Sequence, residues 1–419
     1  MKKNLVALAV AAAFVVPSAA FAAGNNTNNA DTGPVVYGYA QITGAQQFGT
    51  STNGSSPGSS GLAFGANRIR LGFKGEAVPG VTYNMMAGWD NAVIGNGSGN
   101  LLNNGLGNNG NASILDAWLN YAPLPFAQLE VGKFKLPVGN DAKGNELPFV
   151  LRSMAQSLLP GRSAGAMVHG KYVLNDRTGT ALGYAAGIAD STSLDSYNAY
   201  SLASGNQTIP FGSGQGGFLN GSGTYLVFAR LHYDLMGPLL KAEISGSRMG
   251  LHTAPGLSAA SVYTWNARIH GKIMGVLYAA AYTQLKSARS FGTPTGYYGP
   301  NGMSATDWYV QAGLNLYQAG LTPLDIEPAI RFDSYSINDH AGGTDAKLDN
   351  TTLGLNYFVN PNNPYAAEIQ LNYIIPSARQ GKFGYQPNGG FNGGAFGATQ
   401  APIDGVAYNT MMLQFQAGF

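Results

Sequence analysis

Apolar and polar residues alternate with a period of two along most of this chain, the pattern of a strand, whose successive side chains point to opposite faces. In 81–90, Val81, Tyr83, Met85, Ala87 and Trp89 share one face, while Thr82, Asn84 and Asp90 fall on the other. In 263–270, Tyr263, Trp265, Ala267 and Ile269 oppose Thr264, Asn266, Arg268 and His270. The same division marks 308–316, 324–332 and 365–373. Read throughout, it predicts sixteen strands, at 35–48, 66–76, 81–90, 113–121, 127–135, 163–174, 179–189, 223–234, 239–248, 261–272, 276–287, 306–317, 323–335, 348–358, 365–374 and 405–419.

The connections alternate between short and long. Short ones fall at 77–80, 123–125, 175–178, 236–238, 274–275, 318–322 and 360–364, and long ones at 49–65, 91–112, 136–162, 190–222, 249–260, 288–305, 336–347 and 375–404. Tight turns at one end and long loops at the other are expected of an all-β transmembrane antiparallel barrel. Closure pairs every backbone group within hydrocarbon and leaves no strand edge. The apolar face then meets lipid and the polar face lines a lumen. A soluble sandwich or propeller also has short strands, but it needs neither this alternation of loop lengths nor tyrosine and tryptophan at strand ends.

Composition agrees with that reading. Only 11% of residues are charged, against about 25% in an ordinary soluble domain. The 59 glycines among 419 residues are twice the usual share of about 7%, yet 23 tyrosines and 19 phenylalanines exclude a disordered linker protein. No apolar run beyond the first 22 residues is long enough for a membrane-spanning helix. Lys2 and Lys3, the apolar stretch 5–16 and Ala20-Phe21-Ala22 read as a secretory signal over 1–22, leaving 23–419 as the barrel. Without Lys2 and Lys3, 21 basic residues face 21 acidic ones, so no bulk field argues for nucleic acid. There is no cysteine, hence no disulfide framework. The 397 residues of 23–419 leave no room for a plug domain beyond sixteen strands.

Several short motifs carry the identity further. The last strand places Met411, Leu413, Phe415, Ala417 and Phe419 on one face and resembles the assembly signal of bacterial outer-membrane barrels, which end in an aromatic residue. Asn67-Arg68-Ile69-Arg70-Leu71-Gly72-Phe73-Lys74-Gly75, the run Leu115–Tyr121, the run Leu129–Pro137 and Gly354-Leu355-Asn356-Tyr357-Phe358 resemble the phosphate-selective porin O and P family in order and spacing. The resemblance is tightest over 66–165. It implies a sixteen-stranded homotrimeric porin in the outer membrane of a Gram-negative bacterium, surrounded by outer-membrane lipid. It also implies delivery by the barrel-assembly machinery, with Phe419 as the signal, and an anion-preferring pore passing small anions such as phosphate. A weakly selective general-diffusion porin is the alternative, and an outer-membrane enzyme a distant one.

Between Pro148 and Pro160 the spacing of Leu147, Leu151, Met154 and Leu158 predicts a short helix over 146–160 in the third long loop, with Arg152 and Gln156 facing away from the apolar stripe. In porins of the resembled family that loop folds into the barrel and narrows it.

Arg68, Arg70 and Lys74 share a face opposite Ile69, Leu71 and Phe73, which directs them into the lumen. Together with Arg152, Arg162, Lys241, Arg268 and Arg331 they are the candidate pore-lining and anion-binding residues. From 66 to 171, nine basic residues face six acidic ones. Asp325, Glu327, Asp333 and Glu368 fall in the lumen phase and oppose an anion, so general anion preference is a firmer expectation than dedicated phosphate selectivity. Strict alternation puts Lys133 and Lys135 in phase with Leu129 and Val131, which leaves their side undecided.

Other patterns carry little. Gly105-Leu106-Gly107-Asn108-Asn109-Gly110 matches a dinucleotide fingerprint but lies in an asparagine-glycine run without a βαβ unit. Histidines 169, 232, 252, 270 and 340 lack metal-ligand spacing, and no serine, histidine and acid spacing singles out a catalytic set. No metal, cofactor or enzymatic activity is expected.

Overall fold

The structure is a computed structural model that describes residues 34–48, 62–92, 113–139, 144–190, 225–251, 260–287, 303–339, 344–379, 406 and 409–419. The signal segment, the glycine-asparagine run near 105 and most of the predicted long loops lie outside the described residues.

Sixteen antiparallel strands close into one barrel, each bonded to its neighbours in sequence, with the first bonded to the last. They are β1 (Val35–Phe48), β2 (Ala63–Val78), β3 (Val81–Ala92), β4 (Ser113–Leu124), β5 (Ala127–Lys135), β6 (Arg162–Asn175), β7 (Thr180–Asp190) and β8 (Tyr225–Leu235) in the first half. The second half holds β9 (Leu240–Leu251), β10 (Ala260–Ile273), β11 (Val276–Ser287), β12 (Met303–Leu314), β13 (Ile326–Asp339), β14 (Thr344–Phe358), β15 (Ala367–Arg379) and β16 (Asn409–Gly418).

Period-two alternation decides which face meets which medium. On β8, Val227, Leu231 and Tyr233 are exposed outward, while Leu226, Phe228, His232 and Asp234 are buried inward. On β16, Met411, Leu413 and Phe415 are exposed and Thr410, Met412, Gln414 and Gln416 are buried. This inverts a soluble protein, in which large apolar side chains seek the interior. Each such side chain outside the barrel is stabilised by hydrocarbon, at about 25 cal/mol per Å² removed from water.

The tight turns follow local chemistry. Between β10 and β11, Met274 and Gly275 have φ of 49° and 81°, the two left-handed residues of a type I′ hairpin whose twist matches its strands. Between β12 and β13 the turn is wider than the predicted 318–322, because Asn315 accepts from the Gln318 amide and donates to Asp325, which ends β12 at Leu314. At the opposite end β13 and β14 run on to the pair Asp339–Thr344 and shorten the predicted 336–347 loop. Ladder bonding carries these polar strand ends past the apolar alternation on which the sequence reading depended.

The seam pairs Tyr39–Phe48 of β1 with Asn409–Gly418 of β16, and Gly38 and Phe419 extend it at its end by exchanging N–H···O bonds of 3.0 and 2.9 Å. The Phe419 ring lies over Gly38, where a Cβ would stand 2.9 Å from it. Deleting Phe419 removes both bonds and the outward ring. Folded yield should drop severalfold, and further than for Gln414→Ala, which removes only the inward side-chain bonds to Thr43, Asn67 and Gln370; equal yields on heat-modifiability gels would refute this role.

Candidate functional site

The lumen wall carries the charges. On β2, Arg68 and Arg70 are 8% and 5% exposed, with Lys74 more open on the same face. They share the inward phase, as the alternation predicts. The Arg68 Nη1 donates to Gln41 Oε1 at 2.9 Å, and Gln41 in turn donates to the Gly144 carbonyl at 2.9 Å. Arg70 stands 5.8 Å from the centre of the Tyr39 ring and Lys74 5.4 Å from that of Tyr37, which are cation–π distances.

Gly144 belongs to segment 136–161, which joins β5 to β6 and bonds to inward side chains far away in sequence. Asn67 donates to Val150 O, Gln370 to Leu147 O, Asn356 to Pro148 O and Gln416 to Asn145 O, while the Val150 amide donates to Asn372. At its other arm Thr264 donates to Leu158 O and the Gly139 amide donates to Ser245. The segment thus touches the inner faces of β1, β2, β9, β10 and β13 to β16.

Its local structure corrects the predicted helix over 146–160. Only Met154–Leu158 is helical, as a short 3-10 turn. The carbonyls of Leu147, Pro148, Val150 and Leu151 are taken by wall amides and arginine rather than by i+4 amides, which excludes an α-helix there. Leu147, Leu151, Met154 and Leu158 are all buried. Gln156, expected to face away, is also fully buried, donating to Gly139 O and accepting from Lys135 Nζ.

Arg331 tethers the segment through two carbonyls. Its Nη1 and Nη2 donate to the carbonyls of Leu151 and Arg152 at 3.1 and 2.9 Å. Its Nε stands 2.6 Å from Asp333, and its guanidinium lies 4.8 Å from the centre of the Phe149 ring. The side chain of Arg152 is half-buried.

The remaining candidates lie beside carboxylates. Arg162 Nε is 2.9 Å from Asp116, Lys241 is 3.7 Å from Asp234, and Arg268 is 3.6 Å from Glu243. Lys171 also reaches Asp234, at 2.8 Å. Alternation alone could have found these partners as inward-phase residues, but not their pairing, which depends on strand register. Lys133 stays in the outward phase and donates to Ile114 O, whereas Lys135, at the strand end, turns to Gln156. Asp325, Glu327 and Glu368 are buried on the inner wall, and burial, then Glu327, Glu146 and Glu368, pushes the nearby Tyr365 phenol above its ordinary value.

Geometrically this is a charged lumen with a chain segment held across part of it. Residues 46–233 match the family model described as phosphate-selective porin O and P. An anion-selective porin from Comamonas acidovorans is similar in fold, with a TM-score of 0.54 at 10% identity over 93% of this chain and 100% of the other. Salmonella typhi OmpF gives 0.56 at 12% identity over 92% and 97%. The trimer form of OmpT from Vibrio cholerae gives 0.52 at 10% over 93% and 100%. A search of curated protein sequences gives no match.

Proposed function

We infer that the chain forms a water-filled diffusion channel in the Gram-negative outer membrane, homotrimeric, anion-preferring, and open to small anions such as phosphate. The porin family match and the closed barrel support a channel rather than an enzyme. Residues 1–22 are read as a signal removed on export.

The observation that carries anion preference is the inward row Arg68, Arg70 and Lys74, of which Arg68 is joined through Gln41 to Gly144 of segment 136–161. Where a segment narrows a low-dielectric passage, fixed charges act on each ion at short range. A guanidinium also holds phosphate oxygens bidentately. A second reading, weak selectivity, is favoured by the carboxylates Asp116, Asp234 and Glu243 beside Arg162, Lys241 and Arg268.

Phosphate added to purified channels in planar bilayers should reduce chloride current in a saturable way; a current insensitive to phosphate favours the second reading. Asp116→Asn combined with Glu243→Gln should raise the anion-to-cation permeability ratio, by about twofold at low salt, where screening is weakest. An unchanged ratio would mean that these carboxylates do not offset the cations.

A further inference from the structure

The outward face also carries charge. Up β9, β10 and β11 from the tight-turn end, the outward positions are apolar or glycine through Ile244, Ala267 and Tyr282. The next rung is Gly246, Trp265 and Gln284, where the Trp265 indole N–H donates to Gln284 at 3.0 Å. Trp265 and Tyr282 pack with ring centroids 5.1 Å apart, and Trp308 follows on the neighbouring strand opposite Tyr282. Such aromatic girdles mark the boundary of the apolar band.

One rung beyond, on the long-loop side, register sets Arg248, Tyr263 and Lys286 side by side. All three are exposed. The Arg248 guanidinium lies 5.8 Å from the centre of the Tyr263 ring and donates to Ser261 at 3.4 Å, which keeps it against the barrel surface. Two strand spacings separate Arg248 from Lys286, about 10 Å between backbones, a gap that two long side chains can close around one phosphate. Two residues along a tilted strand raise this rung about 5 Å above the aromatic one, to headgroup depth. Two other outward cations are engaged within the protein: Lys133 donates to Ile114 O, and Lys347 lies 3.3 Å from Asp349.

We propose that Arg248, Tyr263 and Lys286 form a docking site for the phosphate of an outer-leaflet glycolipid, whose acyl chains lie along the apolar wall below. The charge complements phosphate, and the apolar wall beneath suits a lipid better than a free ion. The site rests on the reading that the barrel stands in an outer membrane with its long loops outward.

The test uses full-length channels in detergent, titrated with bis-phosphorylated lipid A and with its dephosphorylated form. Each cation near a charged headgroup contributes about a factor of five, so Arg248→Gln with Lys286→Gln should bind the phosphorylated lipid about thirtyfold more weakly, with a difference that shrinks as salt rises. The dephosphorylated lipid should bind both proteins alike. Equal affinity of both proteins for the phosphorylated lipid would overturn the site. So would displacement of that lipid by inorganic phosphate, which would identify a free-anion site. Zero-current potentials should match in the two proteins, and a changed potential would assign these residues to the pore instead. If the wild type conducts no ions yet shows the affinity difference, the docking site stands and the channel reading falls.

Discussion

Arg331→Met should raise single-channel conductance and open-channel noise while the barrel stays folded. The guanidinium holds two carbonyls of the inner segment, at Leu151 and Arg152, and stacks on Phe149. Hydrogen bonds to charged groups contribute about 1.5–3 kcal/mol each, so losing two exceeds what a short loop can spare without local opening. Methionine approximates the aliphatic stem but donates nothing. The sixteen-strand ladder does not depend on these bonds, because they join segment to wall and not strand to strand. Removing the arginine also takes an ion-pair partner, 2.6 Å away, from the Asp333 carboxylate, which is 1% exposed; breaking a buried pair from one side can cost about 3–5 kcal/mol. Adding Asp333→Asn separates the two causes: the double variant should recover thermal stability and keep the larger conductance. A conductance equal to wild type in both variants would show that Arg331 does not hold the passage narrow.

Arg331 also shows where reading the sequence stops. Its inward phase was legible from Ile330 and Phe332 on the other face, and so was its candidacy as an anion ligand. The groups that occupy its donors lie about 180 positions away, and no spacing announces them. The same applies to 146–160, whose leucines repeat as in a helix. The backbone at 147–151 instead bonds to Gln370, Asn356, Asn67, Asn372 and Arg331 on four separate strands. Local periodicity cannot reveal bonds made by a distant wall. Strands were legible because lipid on one side and water on the other impose period two, as Tyr263, Trp265 and Ile269 demonstrate. Their ends were less so at 336–347, where polar residues keep the ladder beyond the apolar band. The row Arg68, Arg70 and Lys74 needed only phase, and the structure places all three on the inward face of β2.

That row supplies the larger expected effect on selectivity. Neighbours in this row, Arg68 with Arg70 and Arg70 with Lys74, stand about 7 and 14 Å apart along the strand, and the outer two about 20 Å apart. At 0.1 M salt a charge is felt over about 10 Å, and at 0.01 M over about 30 Å, so their fields merge into one attractive stretch that strengthens as salt falls. Replacing all three with glutamine keeps polar side chains in the lumen and removes the field. Chloride permeability relative to potassium should fall severalfold, most at low ionic strength, with little change in conductance at high salt. The decisive measurement is the zero-current potential across a bilayer under a potassium chloride gradient at low ionic strength, taken for the wild type and for Arg68→Gln/Arg70→Gln/Lys74→Gln. The wild type should show the sign of anion preference and the triple variant a potential shifted toward cations. Identical potentials in correctly folded channels would contradict the assignment of anion preference to this face of the barrel.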